Sequence, residues 1–318
     1  MDRPKSLYKY MGPDLANRFL LGNNKCTLKL SHLKDYNDPF EFFLTIDYQQ
    51  EPEILAYYNE IISMVTQHPV TCFSKSPIIT PLWAHYASNS QGFVAEINEA
   101  ALNKWLETQG DDSGFGDIDY QDTPHDGMQE MLYRAYVVSK PRHVGWLWQA
   151  VASAAYYTKQ TCWRYEQERR LVSSENIANK INENLTLLYF PAHCVTAIIV
   201  GAKASQETKN QLKEVSKSIG CKYFEKQIGR SSTTPFLLDI ENNTHIFTNH
   251  EIVLHTERCE LCKEPKLSSE SDYCSWCNIN ESHKKNAAHR NTFRILNNAG
   301  TLDAYLKRFV EIGKGIDK

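Results

Sequence analysis

The sequence lacks long apolar runs and a strong net charge. No stretch of about eighteen apolar residues occurs in its 318 residues, and the start, Met1-Asp2-Arg3-Pro4-Lys5, lacks the apolar region of a secretory signal. The net charge is -3 and the pI is near 6.4, so no global charge attracts the chain to nucleic acid or membrane. We therefore expect a cytoplasmic protein without a membrane partner, in which any nucleic-acid contact uses a local basic patch.

Cysteine is too scarce for a disulfide scaffold, since the chain has only nine. Five are scattered among apolar neighbours and are predicted to be reduced and buried. The other four form two Cys-x-x-Cys pairs, Cys259 with Cys262 and Cys274 with Cys277. Two such pairs complete a tetrahedral sulfur site that leaves no position for water or substrate, whereas four unrelated thiols would need two matched spacings by chance. The spacing predicts a structural Zn²⁺ site in a zinc ribbon.

Basic side chains surround this predicted ribbon and the helix that follows it. They are Lys263, Lys266, His283, Lys284, Lys285, His289, Arg290 and Arg294. Such a patch suits nucleic acid or an acidic protein surface, and it is also typical of a solvated basic helix. The sequence leaves the oligomeric state open. We divide the chain into an α+β main domain with a mixed sheet and helices, residues 1–250, and a zinc ribbon with a terminal helix, residues 251–318.

The first half of the main domain alternates strand and helix patterns. Strands are predicted at Ser6–Tyr10, 27–30, 69–74 and 92–97, and helices at 54–65, 82–87 and 100–106, with a helix or turn at 15–20. The segment 110–127 is acidic, contains glycine and has few apolar residues, so we expect a mobile surface excursion. Asn37–Glu41 is a turn signal because Asn and Asp bond their own backbone and Pro fixes φ.

The second half predicts a strand at 133–139 and a helix at 143–159. A strand, helix and strand are then expected at 194–201, 206–219 and 222–224, and a strand at 236–240 closes the domain. No internal repeat is present.

A charged run at 163–170 is the most distinctive stretch of the main domain. On an extended strand Glu166, Glu168 and Arg170 would share one face, because side chains alternate. An edge strand with a cross-strand ion pair would produce the same pattern. The alternation therefore predicts either a structural ion pair or a site with two carboxylates.

Several short motifs occur in the order of an uncharacterised bacterial family. They are Leu7-Tyr8-Lys9-Tyr10, Asn37-Asp38-Pro39-Phe40-Glu41, Cys72-Phe73-Ser74, Trp83-Ala84-His85-Tyr86, the run Trp163-x-Tyr165-Glu166-x-Glu168-x-Arg170, and Ile198-Ile199-Val200-Gly201. Over roughly residues 6–240 the chain resembles this domain-of-unknown-function family. The family name implies no activity.

More distantly, this succession is similar to the plan of ADP-ribosyltransferases, in which a late glutamate binds the nicotinamide ribose and stabilises the oxocarbenium ion. The resemblance implies NAD as substrate, with Glu168 on the ribose and Glu166 as its substrate-facing partner. It further implies His85 and Tyr86 as catalytic candidates, and it implies these cofactor-binding residues: Tyr8, Lys9, Tyr10, Ser74, Trp83 and Arg170. A toxin or phage-defence effector is the implied biological role.

The same residues have other interpretations. Arg170 could neutralise Glu168 and make the pair structural. His85 is either a base or ligand beside Tyr86 or a core histidine bonded to a carbonyl, and Trp83 is either a nucleobase platform or core. The rival function is a non-catalytic module that binds a nucleotide or protein, with the ribbon on nucleic acid.

Overall fold

The computed structural model describes residues 6–32, 45–110, 113–266 and 271–316. The chain divides into two compact units, Met1–Leu254 and His255–Lys318, which we call the main unit and the C-terminal unit. The sequence-based division was placed at residue 250. The Asn37–Glu41 motif lies outside the described residues.

Strands and helices alternate along the main unit, and the C-terminal unit carries three helices among its described residues. The strands are β1 (Ser6–Met11), β2 (Leu20–Leu21), β3 (Lys25–Leu30), β4 (Val70–Ser74), β5 (Phe93–Asn98), β6 (Gly114–Asp117), β7 (Asp119–Tyr120), β8 (Thr158–Lys159), β9 (Glu168–Val172), β10 (Ala178–Asn182), β11 (Leu185–Pro191), β12 (Val195–Val200), β13 (Lys222–Gln227), β14 (Phe236–Leu238), β15 (Thr244–Phe247) and β16 (Ile252–Leu254). The helices are α1 (Pro52–Ser63), α2 (Thr80–His85), α3 (Glu99–Thr108), α4 (Met128–Val138), α5 (Pro141–Tyr157), α6 (Gln206–Ile219), α7 (Glu281–Arg290), α8 (Thr292–Asn298) and α9 (Leu302–Ile316).

A ten-stranded mixed sheet forms the frame of the main unit, in the order β16-β15-β14-β13-β12-β5-β1-β4-β9-β6. Its neighbours are antiparallel except β12 and β13, which run parallel because α6 supplies the crossover that a parallel pair requires. A second sheet has the order β10-β11-β3-β2, and β7 pairs with β8 in parallel. These elements confirm the predicted α+β class with a mixed sheet.

The strands β1 and β4 diverge near the middle of the large sheet. β1 pairs with β5 over all six of its residues, but its register with β4 consists of the single pair Tyr8 and Ser74. In a continued ladder Tyr10 would lie opposite Cys72. The Cys72 carbonyl instead accepts a hydrogen bond from Lys9 Nζ at 2.9 Å, so a side chain replaces a ladder bond. The sheet opens at this point.

Alternation along β1 separates two parts of the core. Leu7 and Met11 belong to a cluster built with the second sheet and α3, whereas Tyr8 and Tyr10 pack on the other face with Trp83. A third cluster joins α1, α4 and α5. Lys9 lies between buried neighbours on β1, and its ammonium also donates to Thr71 Oγ1 at 2.9 Å.

The expected surface excursion at 110–127 is wrong in its middle part. β6 forms the edge strand of the large sheet through its pairing with β9. The Phe115 ring packs 6.2 Å from the Phe73 ring, which anchors the strand. Gly116 permits the close packing of β6 against Tyr157, because a Cβ at position 116 would lie 2.2 Å from Tyr157 Cε1. The few apolar residues of this acidic segment are therefore enough to dock it.

The predicted strand at 133–139 is also wrong, because these residues form most of α4. Met128, Leu132 and Ala135 repeat every three to four residues and pack against α1 and α5. The β-branched residues Val137 and Val138 suggested a strand, but both are exposed at the end of the helix. The main unit also continues through β15 and β16, beyond the predicted closing strand.

Candidate functional site

A cavity of about 310 Å³ lies where β1 and β4 diverge. We call it the site cavity. Its lining residues are Tyr8, Lys9, Tyr10, Lys29, Ser31, Val70, Thr71, Cys72, Phe73, Ser74, Leu82, Tyr86, Lys159, Trp163, Glu166 and Glu168. The volume is at the small end of the range for ligand sites, about 300–1,000 Å³. Of the candidates from the sequence, seven line this one cavity, namely Tyr8, Lys9, Tyr10, Ser74, Tyr86, Glu166 and Glu168.

The backbone brings Glu166 and Glu168 together in a way that strand alternation did not predict. Thr161–Glu166 is a 3-10 helix, Gln167 has a left-handed φ of 48°, and the strand begins only at Glu168. The extended strand that would place Glu166 on one face with Glu168 and Arg170 therefore begins only after Glu166. Ser74 Oγ donates to the Glu166 carbonyl at 2.7 Å, which fixes the turn against β4.

Glu168 is held as an anion at neutral pH. Arg170 Nε donates to Glu168 Oε1 at 2.6 Å, and Lys159 Nζ donates to Oε2 at 3.1 Å. Burial alone would raise the pKa of Glu168, but the charges of Arg170 and Lys159 outweigh it and lower that pKa to about 2. Arg170 is 0% exposed and also donates to the Tyr156 carbonyl at 2.9 Å, so it supports the site from behind without lining the cavity.

The negative charge of Glu166 is compensated less strongly than that of Glu168. Its Oε2 accepts from Lys159 Nζ at 2.7 Å, and its Oε1 accepts from Tyr86 Oη at 3.0 Å. Burial raises the pKa of Glu166, and attraction to Lys159 offsets this only in part. Burial and the neighbouring Glu166 raise the pKa of Tyr86, so its hydroxyl remains a proton donor at neutral pH. Two carboxylates in one cavity thus have opposite pKa shifts, a common feature of acid and base pairs.

Tyr8 and Tyr10 line the cavity with their rings and use their hydroxyls elsewhere. Tyr8 Oη donates to Glu96 Oε1 at 3.0 Å, and Tyr10 Oη donates to the Ser76 carbonyl at 2.8 Å. Burial lowers the pKa of Lys9, against the opposing attraction of Cys72 and Glu168. These two tyrosines and Lys9 therefore give this part of the cavity lining aromatic and basic residues.

Besides Arg170, two predicted candidates lie away from the cavity lining. Trp83 is 0% exposed, its Nε1 donates to the Pro77 carbonyl at 2.8 Å, and Lys226 Nζ lies 4.5 Å from its ring centroid. That position matches the core alternative. His85 is exposed at the end of α2, with its ring 6.2 Å from the Tyr86 ring.

Sequence reasoning missed three contributors to the site. Lys159 contacts both carboxylates, Trp163 lines the cavity, and Tyr120 Oη accepts a hydrogen bond from the Glu168 backbone N–H at 2.7 Å. The one available signal for Lys159 was a lysine two residues after the apolar C-terminal end of α5. Nothing local marks Tyr120, because its role depends on the pairing of β7 with β8.

The four cysteines of the C-terminal unit lie close enough together to be compatible with a metal site. The Sγ atoms of Cys259, Cys262, Cys274 and Cys277 all lie within 4.8 Å of one another. Burial raises the pKa of the Cys259 thiol, but backbone N–H groups such as those of Cys262 and Cys274 lower it further, to about 6. Thiolates at this spacing suit a tetrahedral metal such as zinc.

Six of the eight basic residues predicted around this group are on exposed helix surface, whereas Lys263 and Lys266 are half-buried outside the helices. Lys284, Lys285, His289 and Arg290 are on α7, and Lys284 pairs with Glu281 at 2.7 Å. Arg294 on α8 is exposed as well. Among the described helices, none combines the length and the apolar character that crossing a membrane requires.

Residues 82–171 match a family model described as "Protein of unknown function (DUF2971)". This match confirms the resemblance to an uncharacterised family over that segment, which carries Tyr86, Lys159, Glu166, Glu168 and Arg170. No curated protein and no solved structure matches the chain. The comparisons therefore assign no activity to these residues.

Proposed function

We propose that the main unit is an enzyme of the ADP-ribosyltransferase kind, which cleaves NAD at the nicotinamide glycosidic bond. The observation that carries this proposal is the pair Glu166 and Glu168, together with Tyr86, in one cavity at the divergence of β1 and β4. A preorganised carboxylate in a site that excludes water stabilises a developing positive charge most strongly.

In the proposed reaction the bond between ribose C1′ and the pyridinium nitrogen breaks. Its electron pair leaves with the nitrogen, so neutral nicotinamide departs and C1′ becomes an oxocarbenium ion. A nucleophile then attacks C1′ and releases its proton to a base. We assign that base to Glu166, because the raised pKa that burial gives it suits proton exchange, whereas Arg170 and Lys159 hold Glu168 ionised.

The lining residues fit part of such a dinucleotide. The rings of Tyr86 and Trp163 offer surfaces for the nicotinamide, and Lys9 and Lys29 supply positive charge for phosphate. A volume of about 310 Å³ suits one nucleoside-sized part of NAD rather than the whole molecule. Ser74 Oγ is already bonded to the Glu166 carbonyl, so its role in the proposed site is to hold the turn.

Incubation of the full chain with NAD labelled in the nicotinamide tests the proposal. We expect release of free nicotinamide, together with ADP-ribose or an ADP-ribosylated acceptor, and much slower release by a Glu166→Gln variant. Binding of NAD without cleavage, measured by calorimetry with every acceptor class offered, would instead support the non-catalytic recognition module.

A toxin or phage-defence effector of this kind would deplete NAD in the cell. We expect bacteria that express the wild-type chain to lose NAD and stop growing, and bacteria that express Glu166→Gln at the same level to grow normally. Equal growth and equal NAD content in the two cultures would argue against the effector role.

The metal of the C-terminal unit is zinc in this proposal. We expect one zinc per chain in a reduced sample, measured by elemental analysis. Cys274→Ser should lose the metal and unfold the C-terminal unit, because metal binding supplies much of the folding free energy of a small ribbon. The melting temperature of the main unit should stay the same.

The matched control for this metal prediction is Cys162→Ser, which removes an exposed thiol from the main unit. This variant should retain the zinc. Wild-type protein without stoichiometric metal would contradict the assignment.

A further inference from the structure

Lys159 lies at the centre of the charged groups in the site cavity. Its Nζ is 2.7 Å from Glu166 Oε2 and 3.1 Å from Glu168 Oε2, and the lysine side chain is only 6% exposed. Its ammonium also lies 4.7 Å from the centroid of the Trp163 ring. The ammonium group of Lys159 therefore contacts two carboxylates and one aromatic face, which together engage its three N–H donors.

The backbone of Lys159 is fixed as firmly as its side chain. Lys159 pairs with Tyr120 in the parallel β7 and β8 ladder, and its carbonyl accepts from the Gln121 N–H at 3.0 Å. Burial alone would lower the pKa of Lys159, but attraction to Glu168 and Glu166 outweighs it and the pKa is raised. The residue therefore stays a cation in a defined place.

The charges of Glu166, Glu168 and Arg170 indicate the role of the Lys159 ammonium. Glu166 and Glu168 would contribute two negative charges to one buried site, and Arg170 forms its direct pair with Glu168 alone among these carboxylates. A second buried carboxylate without a counter-charge would take up a proton, because like charges and burial both disfavour ionisation. Lys159 is the cation that contacts Glu166.

We propose that Lys159 is the positioning residue of the site, which holds Glu166 as an oriented carboxylate and keeps it apart from Glu168. This inference rests on the proposed function only where it concerns catalysis. Lys159 need not touch a substrate, since it acts through the two glutamates.

Several other charged and titratable groups surround the two carboxylates and are not removed by a substitution at Lys159. Tyr86 after α2, Tyr120 on β7, Tyr165 in the 3-10 helix and Glu168 on β9 interact with Glu166, whereas Arg170 on β9, Lys9 on β1 and Cys72 on β4 interact with Glu168. None of the other cations among these groups is within ion-pair distance of Glu166 in the described residues.

The test compares Lys159→Met with Lys159→Arg. An opposite charge within about 4–6 Å lowers a carboxyl pKa by roughly 1–3 pH units. We therefore expect Lys159→Met to shift the acidic limb of the pH profile for nicotinamide release upward by about that much. Lys159→Arg keeps the charge and should keep the limb near its wild-type position. The shift should disappear when Glu166→Gln is added, because the titrating group is then absent.

A second readout does not depend on catalysis. Carboxyl carbon NMR on protein labelled at glutamate follows the titration of Glu166 directly, with Glu166→Gln identifying its signal. We expect its midpoint to rise in Lys159→Met and not in Lys159→Arg. Should Lys159→Met fail to fold, Lys159→Gln, which retains a hydrogen-bond donor without charge, replaces it in both measurements.

Lys209→Met is the matched control, since Lys209 forms an ion pair of the same 2.7 Å length with Glu225 away from the cavity. It should leave both titrations unchanged. An unchanged Glu166 midpoint in folded Lys159→Met would overturn the inference and leave Lys159 with a structural role alone. If wild-type protein releases no nicotinamide, the NMR result still decides the role of Lys159, and the failure belongs to the proposed activity.

Discussion

Glu166→Gln should lower the rate of nicotinamide release by a factor on the order of 10² to 10³, as for the loss of one preorganised electrostatic group. The amide keeps the shape of the side chain and can still accept from Tyr86 Oη, which contacts Glu166 Oε1 at 3.0 Å. Lys159 retains Glu168 as its counter-charge. We therefore expect the loss in kcat, measured at saturating NAD, with little change in the melting temperature.

Tyr86→Phe is the matched control for this prediction, because it removes the other hydrogen bond to the same carboxylate and keeps the ring. Its effect should be smaller than that of Glu166→Gln. A Glu166→Gln variant that retains its kcat, beside a Glu168→Gln variant that loses it without unfolding, would contradict the role of Glu166 and make Glu168 the catalytic carboxylate, as the resemblance to ADP-ribosyltransferases implies.

The parts of the fold that follow local rules could be predicted from the sequence. The helix predicted at 206–219 has those bounds in the structure, because Ser205 caps its first turn and Gly220 ends it with a φ of 78°. The strands on either side of this helix, β12 and β13, pair in parallel and form the predicted strand-helix-strand unit with it. Signals of this kind are complete within a few residues and need no knowledge of distant partners.

The errors occur where tertiary contacts decide between local alternatives. α4 ends in β-branched residues, and only the packing of Leu132 and Ala135 against two other helices makes it helical. The left-handed φ of Gln167 is likewise supported from outside, because the Lys75 N–H donates to the Gln167 carbonyl at 3.1 Å. No periodicity in 161–168 encodes that contact.

In the candidate site, too, residues with a local signal could be predicted and residues placed by tertiary contacts could not. The two Cys-x-x-Cys pairs were predictable because each pair fits one turn, and the motif with Glu166 and Glu168 was visible as paired carboxylates. Lys159 and Tyr120 were not, since strand pairing places Lys159 on the two carboxylates and Tyr120 on the Glu168 backbone N–H. A residue type that joins the site by long-range pairing leaves no spacing pattern in the sequence.

Glu168→Gln should destabilise the main unit more than any other single substitution proposed for it. The change leaves Arg170, which is 0% exposed, without the carboxylate that it contacts at 2.6 Å. Removing one partner of a buried ion pair costs about 3–5 kcal/mol, which corresponds to a fall in melting temperature of roughly 6–20 °C for a unit of this size. Thermal unfolding followed by tryptophan fluorescence at pH 7 measures this.

The pH dependence of the same variant identifies the cause of that loss. The pKa of Glu168 is lowered to about 2, so its contribution to stability is full above the unfolded pKa of about 4.3 and is lost as the pH falls toward 2. Wild-type and Glu168→Gln curves should therefore converge in acid and separate by pH 5. Glu225→Gln, which breaks a more exposed pair with Lys209, should cost at most about 1 kcal/mol. Curves that stay parallel down to pH 2 would show that the ionised carboxylate is not the stabilising group.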